Sequence, residues 1–380
     1  MFDFTEEQEK FRSSLKKFVQ DEVVPIAAQV DHEDEIPWSF RKKLAEFGLY
    51  STIVPKKFGG KEWGQVELCI QEEELSYGSA TIAASTLAST LCQTPFYLVG
   101  TDEQKKKYMV PIAKGEAMGS IGLTEPNIGT DFASIESIAK KDGDAYIMNG
   151  TKRYIDNTSV SQFFIFWAKT DTDIRPKYKG ISTFVVDRDQ EGFEVDEIND
   201  VIGLRGLGVG GFTCKDARIP KENLLGKEGE GFIHAMRMLE RGRTPTASIC
   251  VGICRSALDA AVDFAKKRIQ FGKPIAQHQM IQQKLADMAA YTDAAKLLTY
   301  RAASQIDAGG RSDKEASMAK YVSALAGMFV TREAVQIFGA RGCMKEFPVE
   351  RMFRDARIFT IGEGTLEVQR MTVSRRLCEE

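Results

Sequence analysis

Glu363 lies between two glycines in the run Phe359-Thr-Ile-Gly-Glu-Gly-Thr365. Glycine has no Cβ, so the backbone on either side of this carboxylate can come close to a ligand. A helix-like pattern from Leu366 to Leu377 follows. A carboxylate held this way suits a general base working on a bound substrate. The same residues also read as an exposed turn in which Thr365 caps the next helix. The weight given to Glu363 therefore depends on its company further up the chain.

Two other runs carry chemistry. Gly122-Leu-Thr-Glu-Pro-Asn-Ile-Gly-Thr-Asp131 offers the hydroxyls of Thr124 and Thr130, free backbone N–H groups near Gly129 and the Asp131 carboxylate. These are parts of a pocket for a phosphate or the edge of a flavin ring, or else of a polar interdomain turn. Arg268-Ile-Gln-Phe-Gly-Lys-Pro-Ile275 lies between two helical patterns. Its Arg268 matches a pyrophosphate in geometry, or it is a helix C-terminal arginine before a Gly-Lys-Pro stop. A formal G-x-G-x-x-G at Gly206 to Gly211 is followed by a strand-like stretch, Phe212 to Ile219, where a dinucleotide fingerprint needs a helix. A mobile glycine-rich loop is the better reading.

Three histidines (His32, His234, His278) are far apart and form no H-x-x-x-H pair, which argues against a catalytic metal. Seven scattered cysteines without C-x-x-C read as reduced thiols. A net charge of −3 offers no basic excess for nucleic acid, and no apolar run is long enough for a membrane span. The N-terminus is acidic from the start, with no signal or transit peptide. A cytoplasmic location follows, or the mitochondrial matrix where a presequence was removed.

The elements that position these residues fall into three blocks. Helical patterns occupy the first, with Pro25, Gly59-Gly60 and Pro95 as breaks. Short apolar or alternating runs fill the second: Ala145 to Met148, Phe163 to Ala168, Ile181 to Val186, Phe193 to Val195 and Phe212 to Ile219. Asp142-Gly143-Asp144 and Asn149-Gly150 read as turns between them. No long helix intervenes, so this block is antiparallel β. Long amphipathic stretches return in the third: Phe232 to Leu239, Ala247 to Arg268, Gln279 to Ala308, Asp313 to Phe338 and Leu366 to Leu377. The expected domains are residues 1–120, helical; 121–228, β; and 229–380, a helical bundle.

The order of motifs resembles the acyl-CoA dehydrogenase family of flavoproteins over essentially the whole chain. The resemblance rests on the T-E-P-x-x-G-T-D run, the R-x-x-F-G-x-P-I run, Gln336-Ile-Phe-Gly339, Pro348 to Asp355, and Glu363-Gly-Thr365. It implies an α-helical domain, a β domain and a C-terminal four-helix bundle. It implies FAD-dependent α,β-dehydrogenation of an acyl-CoA, with Glu363 removing the α-proton, the flavin taking the β-hydride and electrons passing to an electron-transfer flavoprotein. Leu123, Thr124, Gly129, Thr130, Tyr154, Asp156, Arg268, Phe271, Gln279, Gln336, Gly339, Ala340, Thr365 and Glu367 fall on flavin-contacting positions. Thr130, Arg243, Gly362 and Gly364 fall on substrate positions. Some flavin contacts in the family reach a neighbouring subunit, which implies a homotetramer or dimer. Some relatives carry the base at the position of Gly242; Glu240 is two residues off it.

Three departures from the family pattern matter. Tyr154-Ile155-Asp156 stands where Trp-x-[ST] is usual. An ionised Asp156 there would lower the flavin potential, and a protonated one would donate the missing bond or act as a second acid/base; a different strand register would instead turn it to solvent. Gly362 replaces an aromatic residue and leaves room for a branched or alicyclic acyl group. Gly208-Val209 replaces Ser/Thr. No Lys or Arg occurs between Glu74 and Lys105, which disfavours a dicarboxylyl-CoA. An enoyl-CoA reductase running the reverse direction is the alternative reading.

Overall fold

In the computed structural model, residues 4–379 are described; residues 1–3, the start of the acidic N-terminus, and residue 380 lie outside them. Helix α1 (Glu6–Phe18) opens with a reciprocal cap. The Gln8 N–H donates to Thr5 Oγ1 (3.2 Å) and the Thr5 N–H to Gln8 Oε1 (3.0 Å). Pro25 does not break the helical path as the sequence suggested. A π turn over Val19–Val23 leads straight into α2 (Val24–Glu33), and Pro25 sits in the first turn, where no N–H is needed. Helices α3 (Trp38–Glu46), α4 (Gln65–Gly78) and α5 (Ala80–Val99) follow, then the short α6 (Asp102–Gln104) and α7 (Val110–Ala113). Pro95 lies inside α5 rather than ending it. That helix is buried from Ala80 to Phe96, and packing on every side outweighs one lost hydrogen bond.

An eight-stranded sheet comes next. Its strands are β1 (Gly119–Gly122), β2 (Ile138–Asp142), β3 (Ala145–Ile155), β4 (Phe163–Lys169), β5 (Ile181–Asp187), β6 (Phe193–Val195), β7 (Gly210–Pro220) and β8 (Leu224–Leu225). The order is β6-β7-β3-β2-β4-β5-β8, with β1 against β4. Most pairs are antiparallel, as expected, but β1 and β2 both meet β4 in parallel. Asn149-Gly150 is no turn. It lies within β3, at a bulge against β7 where a Cβ on Gly150 would fall 2.1 Å from Ser137 Oγ.

The third block begins with α8 (Gly231–Lys267), one helix of 37 residues where the sequence suggested two. It runs through Pro245, and the Thr246 hydroxyl donates to the Gly242 carbonyl (2.8 Å). A small hairpin, β9 (Ile269–Gln270) and β10 (Lys273–Pro274), leads to α9 (Gln279–Asp307), α10 (Asp313–Phe338), α11 (Pro348–Ile358) and α12 (Leu366–Glu379). Helices α8, α9 and α10 pack as a bundle through Ala257, Ala261, Ala295, Ala326 and Val330.

Helix α4 lies against α8 at Gly252, where a Cβ would fall 2.2 Å from the Glu73 carbonyl. That approach seats a buried ion cluster. Glu73, 0% exposed, accepts from Arg255 Nη1 (2.7 Å), Lys296 Nζ (3.0 Å) and the Tyr300 hydroxyl (2.6 Å). Glu74 accepts from Arg12 Nε (2.8 Å), so the cluster joins α1, α4, α8 and α9. The surrounding cations hold the Glu73 carboxyl below its ordinary range despite its burial. Removing its charge leaves those cations unbalanced. Glu73→Gln is expected to lower stability by about 3–5 kcal/mol in denaturant unfolding.

Candidate active site

Glu363 sits on the tight turn between α11 and α12, in left-handed backbone with φ 55°; Gly364 after it has φ 86°. The Gly362 N–H donates to the Ile358 carbonyl (2.9 Å), and the Leu366 N–H to that of Thr360 (3.3 Å). Thr365 caps α12 by accepting from the Val368 N–H (3.4 Å). The Thr365 cap expected of this run is therefore present. Two buried side chains grip the turn from below. Lys320 Nζ donates to the Gly364 carbonyl (2.5 Å), and Gln369 Nε2 donates to the carbonyls of Glu363 (3.1 Å) and Gly364 (3.2 Å).

The Glu363 carboxyl has an oxygen, Oε2, that is buried without a hydrogen-bond partner. Burial raises its pKa, and the charges of Lys320 and Arg243 draw it partly back. A Cβ on Gly242 would lie 3.0 Å from that oxygen and 3.0 Å from Leu91. A side chain at 242 and one at 363 thus reach the same point from α8 and from the α11–α12 turn. Glu240, two residues earlier on α8, instead accepts from the Ser312 hydroxyl (3.2 Å). Gly362 is exposed, and a Cβ there would meet only the Ile358 carbonyl, at 3.6 Å.

Asp156 follows directly on β3, after Tyr154 with φ 59°. Ser120 Oγ donates to its backbone carbonyl (2.7 Å). Asn157 after it is buried and tied to α5, accepting from Ser85 Oγ (2.8 Å). Solvent reaches Asp156 from one side, as one reading of the sequence had it. Protein crowds it on the others, and that crowding, with the Glu363 charge, pushes its carboxyl up to about 7. The Glu363 charge thus acts on Asp156, and both carboxyls are raised chiefly by burial.

The Thr124 loop is fixed by a residue the motif hides. Glu125 is buried and ion-paired with the buried Lys152 of β3 (2.8 Å). It also accepts from the Ser137 N–H (3.1 Å) and hydroxyl (2.5 Å). The Arg153 N–H donates to the Thr124 carbonyl (2.9 Å). Leu123 and Thr124 are half-buried on this loop, and Gly129 and Thr130 are exposed at its far end.

Six of the predicted site residues line two cavities that have no residue in common. A groove of 1480 Å³ runs between α8 and α12, lined by Thr130, Glu240, Arg243 and five more arginines: Arg237, Arg311, Arg370, Arg375 and Arg376. Gly364, Thr365 and Glu367 sit at the α12 end of the Glu363 turn. A cleft of 510 Å³ is lined by Arg268, Phe271, Gly339 and Ala340. Phe271 is 95% exposed at the tip of the β9–β10 hairpin. Gln279 and Gln336, both exposed, lie next to this cleft in sequence. Gly208 has φ 63°, and a Cβ there would fall 1.9 Å from Ser159 Oγ. No Ser or Thr fits that position in this fold.

Comparison with known proteins agrees with this arrangement. Residues 5–116 match the acyl-CoA dehydrogenase N-terminal domain, residues 120–217 its middle domain and residues 229–378 its C-terminal domain. The chain belongs to the acyl-CoA dehydrogenase family. It is 41% identical over 376 residues to a 3-(aryl)acrylate reductase of Clostridium sporogenes, covering 98% of this chain and 99% of that one. Butyryl-CoA dehydrogenase from Megasphaera elsdenii superposes with a TM-score of 0.95 at 36% identity, with both chains covered completely. A chain solved in work on the electron transferring flavoprotein of Acidaminococcus fermentans and flavin-based electron bifurcation superposes with a TM-score of 0.97, at 36% identity and full coverage of both. Acyl-CoA dehydrogenases are FAD-dependent oxidoreductases acting on CH–CH bonds, and this chain is an enzyme of that class. Among the described residues, no helix is long and apolar enough to cross a membrane.

Sequence reasoning missed the residues that hold the Glu363 turn and the Thr124 loop in place: Glu125, Lys152, Lys320 and Gln369. A signal existed for two of them. Lys320 falls in helical register with the buried Ala316, Ser323 and Gly327, and Lys152 in strand alternation with the buried Tyr146 and Met148. A lysine on a buried face needs a partner.

Proposed function

We propose that this chain interconverts an acyl-CoA thioester and its α,β-unsaturated form, with Glu363 moving the α-proton. The observation that carries this is the Glu363 carboxyl. It is buried, raised in pKa, partnerless at Oε2, and fixed on a turn that three hydrogen bonds hold from below. The FAD that the family implies supplies the two-electron step when bound. The residues fit it. Arg268 carries a guanidinium suited to pyrophosphate, the backbone at Gly339 is open with φ 62°, and the Thr124 and Thr130 hydroxyls stand on the loop pinned by Glu125. Thr130 lines one cavity and Arg268 and Gly339 another, which supports a homo-oligomer, a tetramer or dimer, in which a second copy completes each flavin site. Arg243 and the arginines beside it suit the phosphates of CoA. Electrons pass to or from an electron-transfer flavoprotein, a reading that the second structural relative supports.

Dehydrogenation is the leading direction. Asp156, where a neutral hydroxyl is usual, favours reduction of an enoyl-CoA instead, as does the name of the Clostridium sporogenes relative. The open space at Gly362 favours a branched, alicyclic or otherwise wide acyl group of short length.

Anaerobic addition of butyryl-, isobutyryl-, octanoyl-, glutaryl- and cyclohexanecarboxyl-CoA, with the flavin spectrum followed, tests these assignments. Fast bleaching by a branched or cyclic member is expected. Bleaching by straight chains alone would remove the reading of Gly362. No bleaching by any member, with flavin present, would shift the assignment to the reductase.

A further inference from the structure

We propose that Lys320 is the positioning residue of the base: it clamps the Glu363–Gly364 turn from beneath and supplies the positive charge that keeps the Glu363 carboxylate available. This rests on the assignment of Glu363 as the base.

Lys320 is fully buried in the middle of α10. Among the described residues, no carboxylate oxygen comes within ion-pairing distance of it; its bond goes to the Gly364 carbonyl. A buried ammonium without a carboxylate is costly to keep charged, and the cost shows: burial lowers its pKa to about 8. Shorter or apolar side chains would fill this Ala-lined face without that cost. What the ammonium gains is a place under a left-handed turn. Glu363 at φ 55° is uncommon backbone for a residue other than Gly, Asn or Asp, and it persists only where its surroundings fix it. Lys320 and Gln369 fix it through its own carbonyls, those of Glu363 and Gly364.

The charged groups around the pair are few. Glu363 faces Lys320 from α10, Arg243 from α8 and Asp156 from the end of β3. Lys320 itself faces Cys250 and Arg243 from α8, Glu363 from the turn and Glu367 from α12. Arg243 has its own claimants in Glu240 and Asp313. Lys320 is thus the cation that bonds the turn directly, and its charge opposes the burial that would otherwise protonate Glu363.

Three variants of the full-length, flavin-loaded enzyme separate the clamp from the charge. The readout is the pH dependence of flavin bleaching by the best substrate, with circular dichroism as the check on folding. Lys320→Gln keeps a hydrogen-bond donor and loses the charge. Its acid limb should move up by at least tenfold in proton concentration, while the high-pH plateau falls little. Lys320→Met loses both, and its plateau should fall at least tenfold besides. Lys320→Arg should retain the limb. If Gln and Met lower the plateau equally and leave the limb in place, Lys320 is only a packing residue and the charge role is overturned. If Met changes neither, the clamp is overturned. Glu363→Gln run in parallel keeps the two ideas apart: full activity there means the base was misassigned, whatever Lys320 does.

Discussion

Replacing Glu363 by Gln lowers the rate of flavin bleaching by on the order of 10²–10⁴-fold, the range expected when a positioned general base is removed. The amide keeps the size and the turn but cannot take a proton. The loss applies equally to the reverse reaction, in which Glu363 delivers the proton to the α-carbon. Burial has raised the Glu363 pKa above the ordinary carboxylate value, so the oxidative rate of the unaltered enzyme rises with pH through that value. The Gln variant should show no such limb. A second variant sharpens the result. A Cβ at 242 lies 3.0 Å from Glu363 Oε2, so Gly242→Glu combined with Glu363→Gly returns a carboxylate to nearly the same point. Part of the lost rate should come back, and Gly242→Glu alone should not help, because two like charges would then share one site. Stopped-flow bleaching under anaerobic conditions reads all three.

Asp156→Asn raises the reduction potential of the bound flavin at pH 8 and flattens its dependence on pH between 6 and 8. Asp156 is pushed up to about 7, so it is mostly protonated at pH 6 and mostly ionised at pH 8. In the ionised form it repels added negative charge and disfavours reduction; in the protonated form it does not. Asp156 is open to solvent on one side, which screens its charge, so the expected change in the redox equilibrium is on the order of tenfold. The direction of the shift sets the sign: proton uptake by the flavin itself lowers the potential with pH in both proteins, and the unaltered protein loses potential more steeply through pH 7 than the Asn variant does. Parallel slopes in the two proteins would mean that Asp156 titrates without touching the flavin's chemistry. Asp156→Thr, which restores the hydroxyl type usual in the family, should behave like Asn in slope.

Much of this molecule was legible in its sequence because its elements carry strong patterns. The strands from Phe163, Ile181 and Phe193 begin where their alternation begins. The long helices from Gln279 and Asp313 follow their apolar periods. Proline misled the reading twice: Pro25 sits in the first turn of α2, where no N–H is needed, and Pro95 lies inside a buried helix whose packing outweighs one lost hydrogen bond. Asn149-Gly150 misled it because a bulge and a hairpin turn ask for the same residues. The parallel contacts of β1 and β2 with β4 were invisible, since short strands carry no sign of their partners. At the site, Glu363 and the Gly242 position were readable from motif order. The side chains that grip them, Lys320 and Gln369 beneath the turn and Lys152 under the Thr124 loop, were not. Their partners are backbone carbonyls or residues far away in sequence, and such contacts leave no local pattern.

Exchange of the α-protons of a bound acyl-CoA with D2O, followed by NMR under anaerobic conditions, isolates the role proposed for Glu363, since exchange needs the base and not the electron acceptor. The unaltered enzyme should wash deuterium into the α-position, and Glu363→Gln should slow this by at least a hundredfold. Exchange at the unaltered rate in the Gln variant, with the flavin still bound, would contradict the account and send the search for the base to Asp156.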